Sequence, residues 1–108
     1  VIKLQDQVDS VRLDDRLRTY IVDLALATRE HPDVQVGLSP RGSLALAQAA
    51  RATAVMQARD YVIPEDILDS IMPVCAHRII TRAYSAGAEQ EATRELLESI
   101  VQTVRSPA

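Results

Sequence analysis

His31-Pro32-Asp33-Val34-Gln35-Val36-Gly37-Leu38-Ser39-Pro40-Arg41 holds a helix stop and a helix start in one short run, and that pairing decides the fold. A residue before proline is pushed away from helical backbone angles, so a helix arriving at His31 has to end there. Ser39 is a preferred N-cap, and Pro40 suits the first helical position because its missing N–H has no partner to lose. Arg41 then falls in the first turn. A helix runs into this stretch, and another runs out of it.

The new helix opens with a cation, although its free N–H groups and the positive end of its dipole favour an anion by about 0.3–1 kcal/mol. Gly42 occupies the third position, where a glutamate would close a capping box. Glycine there weakens the helix by about 0.5–1 kcal/mol relative to alanine and would let another molecule approach the backbone. The turn is thus electropositive, and a phosphate held by N–H groups and Arg41 is one reading of it. A solvated arginine on an ordinary capped helix satisfies the same spacing.

Before this stretch, Asp14 can cap a helix with an apolar stripe of Leu17, Tyr20, Ile21, Leu24 and Thr28 that ends near Arg29-Glu30. Leu4 and Val8 suggest a shorter helix ending near Asp9-Ser10, followed by Val11-Arg12-Leu13 as an extended link. After the stretch, the helix from Pro40 to about Ala58 carries Leu44, Leu46, Ala47, Ala50, Ala54 and Val55 among further alanines. It bears Arg41 and Arg51 and no acid. Arg59-Asp60-Tyr61-Val62-Ile63 reads as a β-prone connector. Pro64-Glu65-Asp66 then opens a helix with acids where the dipole favours them, and Pro73 inside it predicts a kink or break. Ile79-Ile80-Thr81 suits a short extended piece, 83–88 a loop around Gly87, and Leu96, Leu97, Ile100, Val101 and Val104 the stripe of a last helix. Its outer face is acidic, through Glu89, Glu91, Glu95 and Glu98.

The expected fold is all-α: an irregular bundle of about five helices with short extended connectors, forming one domain over residues 1–108. Phe and Trp are absent, so aliphatic side chains with Tyr20, Tyr61 and Tyr84 are expected to build the core. Net charge is −3, which lacks the basic excess of a dedicated nucleic-acid binder. One cysteine, Cys75, cannot form an internal disulfide and fits a reducing, cytoplasmic setting. It reads as a small buried hydrophobe rather than a nucleophile. No apolar run reaches the roughly 20 residues of a membrane span.

Catalytic chemistry is missing from the sequence. Gly37, Gly42 and Gly87 are too scattered for a phosphate-binding loop, and no strand ends in paired acids that could hold magnesium. His31 and His77 stand far apart without a carboxylate-rich partner motif, so no metal site is expected; His31 reads as closing a turn and His77 as capping a helix end. Asp69 and Ser70 read as solvated helix-face residues.

Tyr20-Ile21-Val22-Asp23-Leu24, Ala27-Thr28-Arg29, His31-Pro32-Asp33-Val34, Gly37-Leu38-Ser39-Pro40-Arg41, Ala49-Ala50-Arg51-Ala52, Arg59-Asp60-Tyr61-Val62 and Pro64-Glu65-Asp66 follow one another in this chain. In order and spacing this series resembles the C-terminal helical lid domain of MoxR-type AAA+ ATPases, well over about residues 8–80 and less so over the last helix. The resemblance implies that Arg41 is a sensor-2 arginine reaching the phosphates of ATP, with Ser39 and Pro40 shaping its turn. It implies that ATP and Mg are held by a preceding ATPase domain, that this chain alone has no catalytic residues and binds no cofactor, and that it is a piece of a longer ATPase. Partners would be that ATPase domain, neighbouring subunits of a ring, and a client protein matured in chaperone-like fashion. Two departures bear on stability: Ile63 stands where such lids often have a capping threonine, and Gly42 where they commonly have alanine. A histone-fold-like module binding nucleic acid or a protein through the Pro40–Ala58 helix shares the same helix arrangement and stays open.

Overall fold

The computed structural model describes residues 7–81 and 89–104. Asp14 caps the first long helix, α1 (Asp15–Glu30), by accepting the Arg16 N–H at 2.9 Å, and His31 ends it in extended backbone. Ser39 caps α2 (Pro40–Met56), α3 covers Pro64–Cys75, and α4 covers Glu89–Thr103. A helical segment at residues 7–10 precedes α1, completing the helices of an all-α fold.

Two short pieces of extended chain tie the helices together. Strand β1 (Val34–Val36) pairs antiparallel with β2 (Ile80–Thr81), and so links the α1–α2 connection to the end of α3. The Arg12 N–H donates to the Asp60 carbonyl at 2.9 Å, and the Val62 N–H donates to the Arg12 carbonyl at 3.0 Å. This parallel bridge is the place where the two β-prone connectors meet.

Leu17, Tyr20, Ile21, Leu24 and Thr28 are all buried on α1, as their helical spacing predicts. On α2 the buried residues are Gly42, Leu46, Ala50 and Ala54, a strict four-residue repeat of small side chains around one leucine. Small residues let helix axes approach closely, and α2 and α3 form the most extensive helix pair. Leu24, Leu38, Leu46, Ile71, Leu97 and Ile100 converge at the centre around a residual void of about 10 Å³. The core is therefore close-packed.

Several expectations are overturned. Leu44 does not face the core: two residues from Leu46, it points some 200° away around the helix and is 69% exposed. Tyr61 is also exposed, leaving Tyr20 as the core tyrosine among the described residues. Pro73 neither breaks nor ends α3, which continues to Cys75; so near the helix end proline forfeits one backbone bond at most, and the Ala76 N–H still reaches the Met72 carbonyl. Helix α2 stops at Met56, short of Ala58, whose φ of 58° turns the chain out of the helix. Ser70 is buried and donates to the Asp66 carbonyl at 2.8 Å, so it is no solvated face residue, whereas Asp69 is exposed. The loop expected at 83–88, Tyr84 and the N-terminal Leu4 lie outside the described residues.

Candidate functional site

The start of α2 is built from below. Thr28, a polar residue on the buried stripe of α1, donates its hydroxyl to the Ala25 carbonyl at 2.6 Å and accepts the Leu38 N–H at 2.9 Å. Arg29 Nε donates to the Leu38 carbonyl at 2.8 Å. Both backbone groups of Leu38 are thus held by the end of α1, while its side chain is sunk to 1% exposure in the core. Gly37 makes this approach possible, since a Cβ there would stand 2.8 Å from the Arg29 backbone.

On that fixed floor, Ser39, Pro40 and Arg41 project into solvent. The Ser39 hydroxyl accepts the Gly42 N–H at 3.1 Å and its carbonyl accepts the Ser43 N–H at 3.0 Å. The backbone N–H and the guanidinium of Arg41 have no acceptor among the described residues. No acid stands in the first turn, and the described ion pairs, Arg16–Asp14, Arg59–Asp66 and Arg94–Glu98, leave Arg29 and Arg41 out. A free N–H, a free guanidinium and the positive pole of a helix together suit a phosphate oxygen.

Gly42 has a different role from the one its sequence suggests. A Cβ there would run into Leu38 and touch Arg78, so the missing side chain makes room for the protein's own packing rather than for a visiting molecule. His77 does not cap the end of α3 either. Arg78 does so, its Nη1 donating to the Val74 carbonyl at 2.8 Å, and His77 Nε2 lies 2.9 Å from the same nitrogen. His31 does close its turn, with Nδ1 accepting the Asp33 N–H at 3.1 Å.

The start of α3 is held shut. Arg59 Nη1 and Nη2 each reach an oxygen of Asp66 at 2.7 Å, and the Ile63 N–H donates to the same carboxylate at 2.9 Å. Ile63 has no polar side-chain atom, so Asp66 supplies from within the helix the cap its predecessor cannot. Burial pushes the Asp66 carboxyl up, but the Arg59 guanidinium and the Ile63 N–H outweigh it and leave it below the usual carboxylate range. The bond to Asp66 likewise raises Arg59. Burial lifts the Cys75 thiol to about 11 against a small opposing effect of Arg78, so it is protonated and unreactive at neutral pH. No described group of three or more His, Cys, Asp or Glu side chains could hold a metal ion. No described helix is long and apolar enough to cross a membrane.

The described residues form a bundle of short helices in which α2 starts on a backbone held by Thr28 and Arg29, with no acid in its first turn. The AAA lid domain family matches residues 26–100, and the chain belongs to that family. Its relatives place it with the lids of MoxR-like proteins. It is 43% identical over 99% of its length to the uncharacterized protein YeaC of Bacillus subtilis, and 32% identical over 99% of its length to the chaperone MoxR1 of Mycobacterium tuberculosis. A solved structure of a candidate ATPase from Cytophaga hutchinsonii superposes with a TM-score of 0.81 over 95% of this chain at 31% identity. The chain spans 34% of YeaC, 30% of MoxR1 and 34% of the Cytophaga chain.

Arg41, Ser39 and Pro40, which the sequence singles out, stand together at the start of α2, but the residues that seat them are not singled out by the sequence. Thr28 was visible as a polar residue on an apolar stripe, and that mismatch was the available signal. Arg29 and Arg78 gave none, because an arginine near a helix end is ordinary.

Proposed function

We propose that this chain, as one helical domain over residues 1–108, is the lid of a longer MoxR-type AAA+ protein that hydrolyses ATP. Arg41 acts as its sensor-2 arginine, with Ser39 and Pro40 setting the turn that aims it. The observation that carries this reading is the unpaired Arg41 at the acid-free start of α2, held on a backbone clamped by Thr28 and Arg29. The relatives' names, chaperone and candidate ATPase, and the third of their length that the chain spans support it further.

In this reading ATP and Mg are held by the preceding ATPase domain, and ATP supplies the phosphate that Arg41 meets. The guanidinium donates charge-assisted hydrogen bonds to phosphate oxygens, and the free Arg41 N–H adds a second donor at the helix pole. Loss of the γ-phosphate removes the acceptor, which frees the lid to rotate against the ATPase domain and against its ring neighbours. Nothing in the described part of this chain would serve as base or metal ligand, so the isolated lid contributes binding and orientation alone. The work performed is chaperone-like maturation of a client protein in the cytoplasm.

The test is Arg41→Ala in the full-length protein. ATP turnover should fall at least tenfold, the scale of a lost hydrogen bond to a charged group, with the thermal unfolding midpoint of the nucleotide-free protein unchanged. Unaltered turnover would remove the sensor assignment. Robust ATP hydrolysis by the isolated 108-residue chain would remove the division of labour between the domains.

A further inference from the structure

We propose that the groove between α3 and α4 docks a cationic amphipathic helix of a partner protein; the proposal goes beyond the lid reading and does not depend on the role of Arg41. Leu68 and Met72 of α3 and Leu97 and Val101 of α4 line an open trough of about 280 Å³, with Glu98 at its edge. Each of these pairs is four residues apart, so both walls repeat once per helical turn. Ile71 and Leu97 are buried and form the floor, whereas Leu68 is 37% exposed and Met72 and Val101 are half-buried. The core beneath is closed, and the walls of the trough are apolar surface left in water.

Charge decides what fits there. Helix α3 contains no basic residue, and its Glu65 and Asp69, both exposed, stand one turn before Leu68 and Met72. No described ion pair includes either acid. In α4 the one base is Arg94, against Glu89, Glu91, Glu95 and Glu98. Arg94 meets Glu98 at 4.0 Å with both side chains about two-thirds exposed, a weak pair that water screens. Helix α2, by contrast, has no acid at all, so charge is segregated within the domain and the trough lies on its acidic side. An apolar strip bordered by carboxylates repels an anionic partner and steers a cationic one into register. A helix with apolar side chains at one-turn intervals matches the repeat of the two walls, and lysines or arginines beside them would meet Glu65, Asp69 and Glu98. The trough is open and has few convergent polar groups, which suits a helix better than a small molecule.

The test titrates the full-length protein with a fluorescent helical peptide that has leucine at every third or fourth position and lysine between, and reads its anisotropy. The peptide should bind, less tightly as salt rises, and a counterpart with glutamate in place of lysine should bind at least tenfold more weakly. Leu68→Gln, which removes an apolar wall, and Asp69→Lys, which reverses a rim charge, should each weaken binding about tenfold with the unfolding midpoint unchanged. Arg41→Ala should bind the peptide as wild type does, so failure here and failure of the sensor reading are separable. Wild-type affinity in both Leu68→Gln and Asp69→Lys would place the peptide elsewhere and overturn the proposal. Equal affinity for the glutamate peptide, or for a lysine peptide whose leucines are scattered off one face, would overturn it as well. A fall in the sedimenting mass of Leu68→Gln without peptide would show that a second copy of the chain occupies the trough, and would overturn it too.

Discussion

Helices α2 and α3 both begin with proline in the first position, yet one start is sealed and the other open. At α3 a poor cap, Ile63, is compensated by an acid three residues on, and that acid is gripped by Arg59 through two 2.7 Å bonds. At α2 a good cap, Ser39, is followed by an arginine and a glycine, and the charge stays unmatched. The first turn of α3 thus holds a paired carboxylate and the first turn of α2 holds no acid. A helix start that is electrostatically satisfied by its own protein has nothing left to offer a phosphate.

The largest effect expected on this contrast is at the sealed start. Asp66 is 2% exposed, and replacing it with Ala removes the partner of Arg59, the acceptor of the Ile63 N–H and the acid at the helix pole together. Removing the buried partner of this part-buried ion pair leaves the Arg59 guanidinium and the Ile63 N–H without their acceptor, which chemical denaturation of the full-length protein should register as a marked fall in the midpoint. The loss is also pH-dependent. A carboxyl held below its ordinary value binds fewer protons folded than unfolded, so its contribution is complete above the unfolded value near 3.9 and vanishes as pH falls through the folded value. The stability gap between wild type and Asp66→Asn should therefore be constant near neutrality and shrink in acid below about pH 4. A gap that widens in acid would show that the pair is not what Asp66 contributes.

A smaller effect is expected at the floor of the open start. Thr28→Val keeps shape but removes the hydroxyl that accepts the buried Leu38 N–H. An orphaned buried donor costs about 1–3 kcal/mol. Because Leu38 carries the turn leading to Arg41, ATP turnover in the full-length protein should decline together with stability, whereas Asp66 variants still folded at the assay temperature should keep near-normal turnover. Equal behaviour of the two sites would erase the distinction between a start built for stability and one built for a ligand.

What the sequence made legible follows the same division. Local chemistry was readable: His31-Pro32, Ser39-Pro40 and Pro64-Glu65-Asp66 each fix a helix boundary through backbone constraints that need no tertiary context, and the boundaries fall there. The buried stripe of α1 was equally plain, because its period is strong. The stripe of α2 was not, since alanines surround that helix and hydrophobicity alone cannot tell Leu44 from Leu46. The β1–β2 pairing was hidden because three residues give too short a period and their partner lies more than forty positions on. The clamp of Thr28 and Arg29 on Leu38, and the stem of Arg78 over Gly42, are long-range contacts of residues whose local patterns are unremarkable. Arg41 stands out in the sequence because it breaks a local rule; its supports break none.

The smallest expected change would make the two starts more alike. Ile63 caps α3 in extended backbone but offers no side-chain acceptor, whereas Ser39 accepts the N–H of its third helical residue. Ile63→Thr gives α3 a hydroxyl for the Asp66 N–H, which now points to the Ile63 carbonyl at 3.0 Å. A capping threonine adds about 1 kcal/mol over an apolar residue. Against this, half-buried Ile63 loses part of its apolar contact, about 0.5 kcal/mol on the usual area scale. The net gain of about 0.5 kcal/mol should raise the unfolding midpoint by about 2–4 °C in a domain of this size, with ATP turnover unaffected. A lowered midpoint would mean that the Ile63 side chain holds α3 by packing, and that Asp66 with Arg59 already meets the whole capping demand of this helix.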